Sequence, residues 1–154
     1  MTPVDPQFAD FLVEAKRNTY ASDSPINASV PILESSRQLQ YSSGNFLYRD
    51  IYFGSERFSG IEVAYEGKVP VWTMVYSGGM LSRTGSAEVY AFLKKALREV
   101  SAVFPARGPK AFKEGVFTYE NHFNGSTERF HGEEYILSEG VEVYQMNYHG
   151  GLIK

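Results

Sequence analysis

The sequence predicts an α+β domain built from an internally duplicated helix-strand-strand-strand unit, with one antiparallel sheet and two helices packed on one of its faces. Three observations lead there. A stretch of sequence recurs at an offset of 71, then 72, residues. Each copy follows a segment with apolar residues at helical spacing. Within each copy, alternating segments are joined by turns too short for the crossover that a parallel pair requires. At 154 residues the chain has the length of one domain. Its halves run from about 5 to 81 and about 86 to 154.

The repeat is read directly. Phe46-Leu-Tyr-Arg-Asp-Ile-Tyr-Phe-Gly54 returns as Phe117-Thr-Tyr-Glu-Asn-His-Phe-Asn-Gly125. Phe58-Ser-Gly-Ile-Glu62 returns as Phe130-His-Gly-Glu-Glu134, and Val71–Gly79 as Val143–Gly151. From Gly44 to Gly79 the copies agree at 15 of 36 positions, where ordinary residue frequencies would give about 2 to 3.

The elements follow in order. Asp5-Pro6 is an N-cap followed by proline at the first helical position, and Phe8, Phe11, Leu12 and Ala15 form an apolar stripe behind it. A polar stretch from Asn18 to Gly44 includes Ser22, Asp23, Ser24, Pro25, Asn27 and Ser29, with a short strand around Leu39–Tyr41. It reads either as a flap over a ligand site or as a plain surface connection. Strands run over Phe46–Phe53, Phe58–Tyr65 and Val69–Ser77, closed by Gly54-Ser55, Glu66-Gly67 and Gly78-Gly79. The second helix has Ser86 as its cap, a stripe of Val89, Leu93, Ala96, Leu97, Val100 and Val103, and Pro105 near its end. Three strands then repeat the first set. A twofold between the copies would give six or more strands in one sheet; the alternative is two separate hairpin stacks.

Composition narrows the function. There is no cysteine, which removes disulfides, iron–sulfur sites and thiol nucleophiles. The balance of 15 basic and 18 acidic residues, without a basic patch, gives no footprint for nucleic acid. No stretch reaches the roughly 18 apolar residues of a membrane span, and Met1–Asp10 holds no signal-peptide core. The expected setting is cytoplasmic, as monomer or homodimer. Eleven Tyr, 11 Phe and one Trp make the chain rich in aromatics.

The residues retained in both copies are the candidate site. Strand one shares Phe46, Tyr48, Asp50 and Tyr52 with Phe117, Tyr119, Asn121 and Phe123, and each set lies on one strand face. Strand three matches Trp72, Met74 and Tyr76 with Tyr144, Met146 and Tyr148. Glu62 and Glu134 each follow a phenylalanine and a glycine on the same face. A carboxylate facing an aromatic concavity can attract a cation or take part in a hydrogen bond. Glu62 and Glu134 are therefore the expected anchors, with ring faces from Trp72, Tyr76, Tyr144 and Tyr148 and flanking Tyr48 and Tyr119. The competing reading makes each glutamate a solvent-facing residue or a structural partner of Arg57 or Arg129. Phe-x-Gly and Tyr-x-Gly-Gly read as bulges or tight turns. His122, His131 and His149 all belong to the second copy, and their spacing argues for no metal. No cofactor motif is present.

Glu14-Ala-Lys-Arg-Asn-Thr-Tyr-Ala21, Phe46–Gly54, Val71-Trp-Thr-Met-Val-Tyr76 and Tyr148-His-Gly-Gly-Leu-Ile-Lys154 together resemble a bacterial domain-of-unknown-function family, number 5680. That family occurs alone or behind the helix-turn-helix of xenobiotic-response-type regulators. The resemblance implies a sensory or effector-binding role and carries over no catalytic residue; a chain of this length leaves no room for the DNA reader. The duplicated unit is also similar in architecture to gyrase-inhibitor-like modules, which bind amphipathic drugs on aromatic walls with a buried glutamate, although a strand before the first helix is missing here. The expected function is binding of an aromatic or cationic small molecule without catalysis. The alternatives are a hydrolase or isomerase using Glu62 and Glu134 as acid and base, and a protein-interaction module using a sheet edge or face.

Overall fold

The computed structural model describes residues 5–22 and 27–154; Asp23, Ser24 and Pro25 of the polar connection lie outside the described residues. The elements are α1 (Pro6–Asn18), β1 (Ala28–Ser29), β2 (Arg37–Ser43), β3 (Phe46–Gly54), β4 (Arg57–Glu66) and β5 (Val69–Met80), then α2 (Ser86–Arg98), β6 (Ala111–Glu114), β7 (Phe117–Ser126), β8 (Arg129–Ser138) and β9 (Val141–Leu152). Behind α1 the meander has five strands, β1 to β5, and behind α2 it has four, β6 to β9. β2 contains the short strand expected around Leu39–Tyr41, while β1 and β6 are additions to the expected units. The helix comes first in each unit, which departs from the strand-helix-strand-strand order of the gyrase-inhibitor-like modules.

Local chemistry explains the helix ends. The Asp5 carboxylate accepts the Gln7 N–H at 2.9 Å, and Pro6 occupies the first turn. At α2 the cap is Gly85, with φ +82°, rather than Ser86, which is the first helical residue. This helix also stops well before Pro105. The Glu99 N–H turns back to the carbonyls of Ala96 and Leu97. Arg17 of α1 donates to the carbonyls of Arg98 and Val100, each at 3.1 Å, and so satisfies the end of the neighbouring helix. Val103, placed by spacing on the apolar stripe, is 91% exposed beyond the helix.

The nine strands of the described residues form one antiparallel sheet in the order β1-β2-β3-β4-β5-β9-β8-β7-β6. At the β5–β9 seam Tyr76 lies opposite Tyr148, Trp72 opposite Leu152, and Met80 opposite Tyr144. Exchanging the two copies maps this register onto itself, so a local twofold passes between Tyr76 and Tyr148.

Register also aligns the retained faces. Tyr48 pairs with Ala64, and Ala64 with Trp72; Asp50 pairs with Glu62, and Glu62 with Met74. All of these face the helices and are buried. α1 packs on β2 and β3, α2 on β6 and β7. Phe8, Leu12, Trp72, Leu93, Tyr144 and Met146 are among the buried apolar side chains of the core between the layers. Thr73, Val75, Asn147 and His149 belong to the opposite, solvent-facing side.

Gly60 and Gly132 have a specific role that differs from the expected bulge or turn. Each lies opposite a tyrosine of the seam, Gly60 with Tyr76 and Gly132 with Tyr148. A Cβ on either would stand 2.5 or 2.4 Å from the tyrosine hydroxyl oxygen. The glycines leave room for the two rings to cross the neighbouring strand.

Candidate functional site

A cavity of about 430 Å³ opens between the first half of the sheet and the N-terminal part of α2. Strand alternation brings Tyr52, Phe58 and Tyr76 to its wall, and the seam adds Tyr144 from β9. Tyr90 of α2 and Tyr20, just beyond α1, complete the aromatic lining. Phe58 meets Tyr76 edge-on at 5.9 Å between centroids and lies 6.3 Å from Tyr144. Tyr90 stands perpendicular to Tyr144 at 6.0 Å. These are the offset and edge-on geometries that aromatic quadrupoles favour.

Asp50 lies at the bottom of this cavity. It is 3% exposed, and its Oδ1 accepts the Tyr76 hydroxyl at 2.5 Å. Among the described residues no cation is paired with it, and its other oxygen has no hydrogen-bond partner. Burial pushes the Asp50 carboxyl up to about 7, and the neighbouring charge of Glu62 adds to this. The Tyr76 hydrogen bond and the more distant Lys16 act in the opposite direction. Burial, then the charge of Asp50, raises the Tyr76 phenol above its ordinary range. Burial also raises Tyr20, and Tyr90 is pushed up to about 12.

Two buried ion pairs flank the carboxyl. Lys16 reaches from α1 to the Glu62 carboxylate and also donates to the Ala106 carbonyl at 2.6 Å. Burial lowers the Lys16 ammonium from its usual range, opposed by Glu62. Arg107 grips Glu134 with two nitrogens, Nε at 2.9 Å from Oε2 and Nη2 on Oε1. Burial alone would lower the Arg107 guanidinium, but Glu134 more than offsets it and the net direction is upward. Glu134 further accepts the hydroxyls of Tyr119 at 2.7 Å and Tyr144 at 2.8 Å. Every lone pair a buried carboxylate must place is thus occupied by a donor.

Of the eight residues singled out by sequence, Glu62, Tyr76 and Tyr144 line the cavity. Glu134 lies behind Arg107, which presents itself to the cavity instead. Trp72 is fully buried, stacks on Phe130 at 5.8 Å and donates its indole N–H to the Thr127 carbonyl at 3.1 Å. Tyr48 stays in the core with the Lys16 ammonium 5.8 Å from its ring centre. Tyr119 serves Glu134, and Tyr148 serves Asn121 at 2.5 Å. Glu62 and Glu134 stand on β4 and β8 with two strands between them, and their cations are Lys16 and Arg107 rather than Arg57 and Arg129.

Asp50 and Tyr52 lie on a retained strand face but are not among the expected anchors, and Lys16, Arg107, Tyr20 and Tyr90 are not among the sequence candidates. Of these, Arg107, Tyr20 and Tyr90 line the cavity while Lys16 holds its Glu62 wall. Lys16 had a signal: it lies four residues after Leu12 on the apolar stripe of α1, where a lysine must be buried with a partner. His131 pairs with His149 and His122 with Glu133 across the sheet. Among the described residues no group of three or more metal-binding side chains comes together.

The family described as Domain of unknown function (DUF5680) matches residues 50–153, and the chain belongs to it. No curated protein and no solved structure matches the chain. Among the described residues no helix is long and apolar enough to cross a membrane.

Proposed function

We propose that the chain is a small-molecule-binding domain whose ligand occupies the cavity above Asp50. The observation that supports this best is the combination of aromatic walls with one buried carboxyl, Asp50, that forms no ion pair among the described residues, Lys16 and Arg107 acting on it only from a distance. Cavities of ~300–1,000 Å³ lined by aromatic faces with a few convergent polar groups are the usual form of ligand sites. The cavity opens at Asp50, whereas the counterpart position, Asn121, is met by the Gly108 carbonyl, so one ligand binds per chain. Glu62 contributes through its charge beside Asp50, and Tyr76 orients the carboxyl.

A thermal-shift screen tests the reading, using cationic aromatics, neutral metabolites, sugars and divalent metals. A compound at about 100 times its Kd adds about 2.7 kcal/mol, which raises Tm by several degrees. The expected hit loses its effect in Phe58→Ala and in Asp50→Asn. A hit that both variants retain binds elsewhere and contradicts the proposal.

A second reading has one observation in its favour. A cavity carboxyl that titrates near 7 suits general acid–base chemistry. Hydrolysis or isomerisation would then use Asp50, not Glu134, and turnover would follow a pH profile that disappears in Asp50→Asn.

A further inference from the structure

The second half of the molecule holds the same constellation, and there it is filled. Phe123, Phe130, Tyr148 and Asn121 correspond to Tyr52, Phe58, Tyr76 and Asp50. The ring of Phe104, from the connection after α2, lies flat on Phe123 with centroids 3.7 Å apart and planes 2° apart. It meets Phe130 edge-on at 5.5 Å and Tyr148 at 6.5 Å. The same connection places the Gly108 carbonyl on Asn121, whose Nδ2 donates to it at 3.0 Å. In the first half, no ring of the described residues stacks on Tyr52, and the space is the cavity.

The chain therefore carries an internal copy of an occupant: a planar ring on the Tyr52-type position, joined to a polar group at the Asp50-type position. One change inverts the polarity of that second contact. Asn121 offers a donor and is met by a carbonyl; Asp50, when ionised, offers only acceptor oxygens and is met by a donor. Resting on the binding reading above, we infer that the ligand is a planar aromatic ring bearing an N–H donor such as a protonated amine, its ring stacked on Tyr52 and its donor directed at Asp50. A saturated ring would lose the stacking, and an acid would face Asp50 with an acceptor.

Isothermal titration of the wild-type protein at about pH 8 with 2-phenylethylamine, 2-cyclohexylethylamine and 3-phenylpropanoate tests this, at probe concentrations up to about 10 mM as suits ligands of so few atoms. The aromatic amine is expected to bind about tenfold more tightly than either of the others, and Asp50→Asn to cost it about tenfold. The double variant Phe104→Ala, Asn121→Asp is expected to raise the stoichiometry from one to two; if it does not fold, the wild-type comparison still decides. Equal binding of the cyclohexyl amine overturns the ring, and tighter binding of the phenylpropanoate overturns the donor. In both cases cavity binding itself survives. Failure of all three probes overturns the inference, and the wider screen then shows whether the binding reading falls with it.

Discussion

Asp50 and Asn121 occupy corresponding positions in the two halves, and each accepts a tyrosine hydroxyl at 2.5 Å, Asp50 from Tyr76 and Asn121 from Tyr148. Beyond that shared bond their surroundings diverge. Asn121 is satisfied by the Gly108 carbonyl under the Phe104 connection, whereas Asp50 lines a cavity. The repeated framework thus supplies one position that is complete in itself and one that is open.

Stability should fall with pH because of Asp50. Its carboxyl titrates near 7 in the folded chain and near 3.9 when unfolded. The folded state holds this proton more tightly, so the contribution is full below about pH 4 and is lost as pH rises to about 7. Urea unfolding at pH 5 and pH 8 should show a loss on the order of 1–3 kcal/mol in the wild type that is absent in Asp50→Asn. A pH dependence identical in both proteins would exclude Asp50 as its source.

Breaking the Lys16–Glu62 pair should be costly because both groups are buried. Lys16→Met leaves the Glu62 charge uncompensated and is expected to cost about 3–5 kcal/mol. Adding Glu62→Gln removes that charge and should restore more than half of the loss. Denaturant titration of the two variants checks this. The exposed Lys95–Glu114 pair provides the contrast, at under about 1 kcal/mol.

A methyl group at Gly60 would strike the Tyr76 ring. Gly60→Ala should cost about 1–3 kcal/mol and push Tyr76 away from Asp50. Gly132→Ala should cost a similar amount through Tyr148, since the two contacts are nearly alike. Only the first should weaken binding of a cavity ligand, which paired Tm and titration measurements would show.

Phe104→Ala removes the ring that fills the second half. Its partners Phe123, Phe130 and Tyr148 lose their packing together, and the expected cost is about 3–5 kcal/mol. A cost below about 1 kcal/mol, measured by thermal unfolding, would mean that the connection packs differently from the structure described.

Much of this architecture was legible because alternation and turn residues are local signals. Phe46–Phe53 and Phe58–Tyr65 need only their own sequence to be strands, and the repeat told where they recur. β6 escaped because Ala111–Glu114 is short and its partner β7 alone makes it a strand. Glu62 and Glu134 stood out since both copies keep them, and what both copies keep here is largely the framework. The cavity depends instead on what differs: Asp50 against Asn121, and Phe104 with no counterpart ring. Arg107 lies in a loop, far in sequence from Glu134, so no periodicity could place it there.

The most direct test is amide chemical-shift mapping of the wild-type protein titrated with the strongest compound from the thermal screen. The largest shifts should gather at Gly54, Ser55, Ser86 and Ala87, which line the cavity, and they should vanish in Asp50→Asn. Shifts centred on His131 and His149 of the outer face, with the cavity amides unmoved, would contradict it.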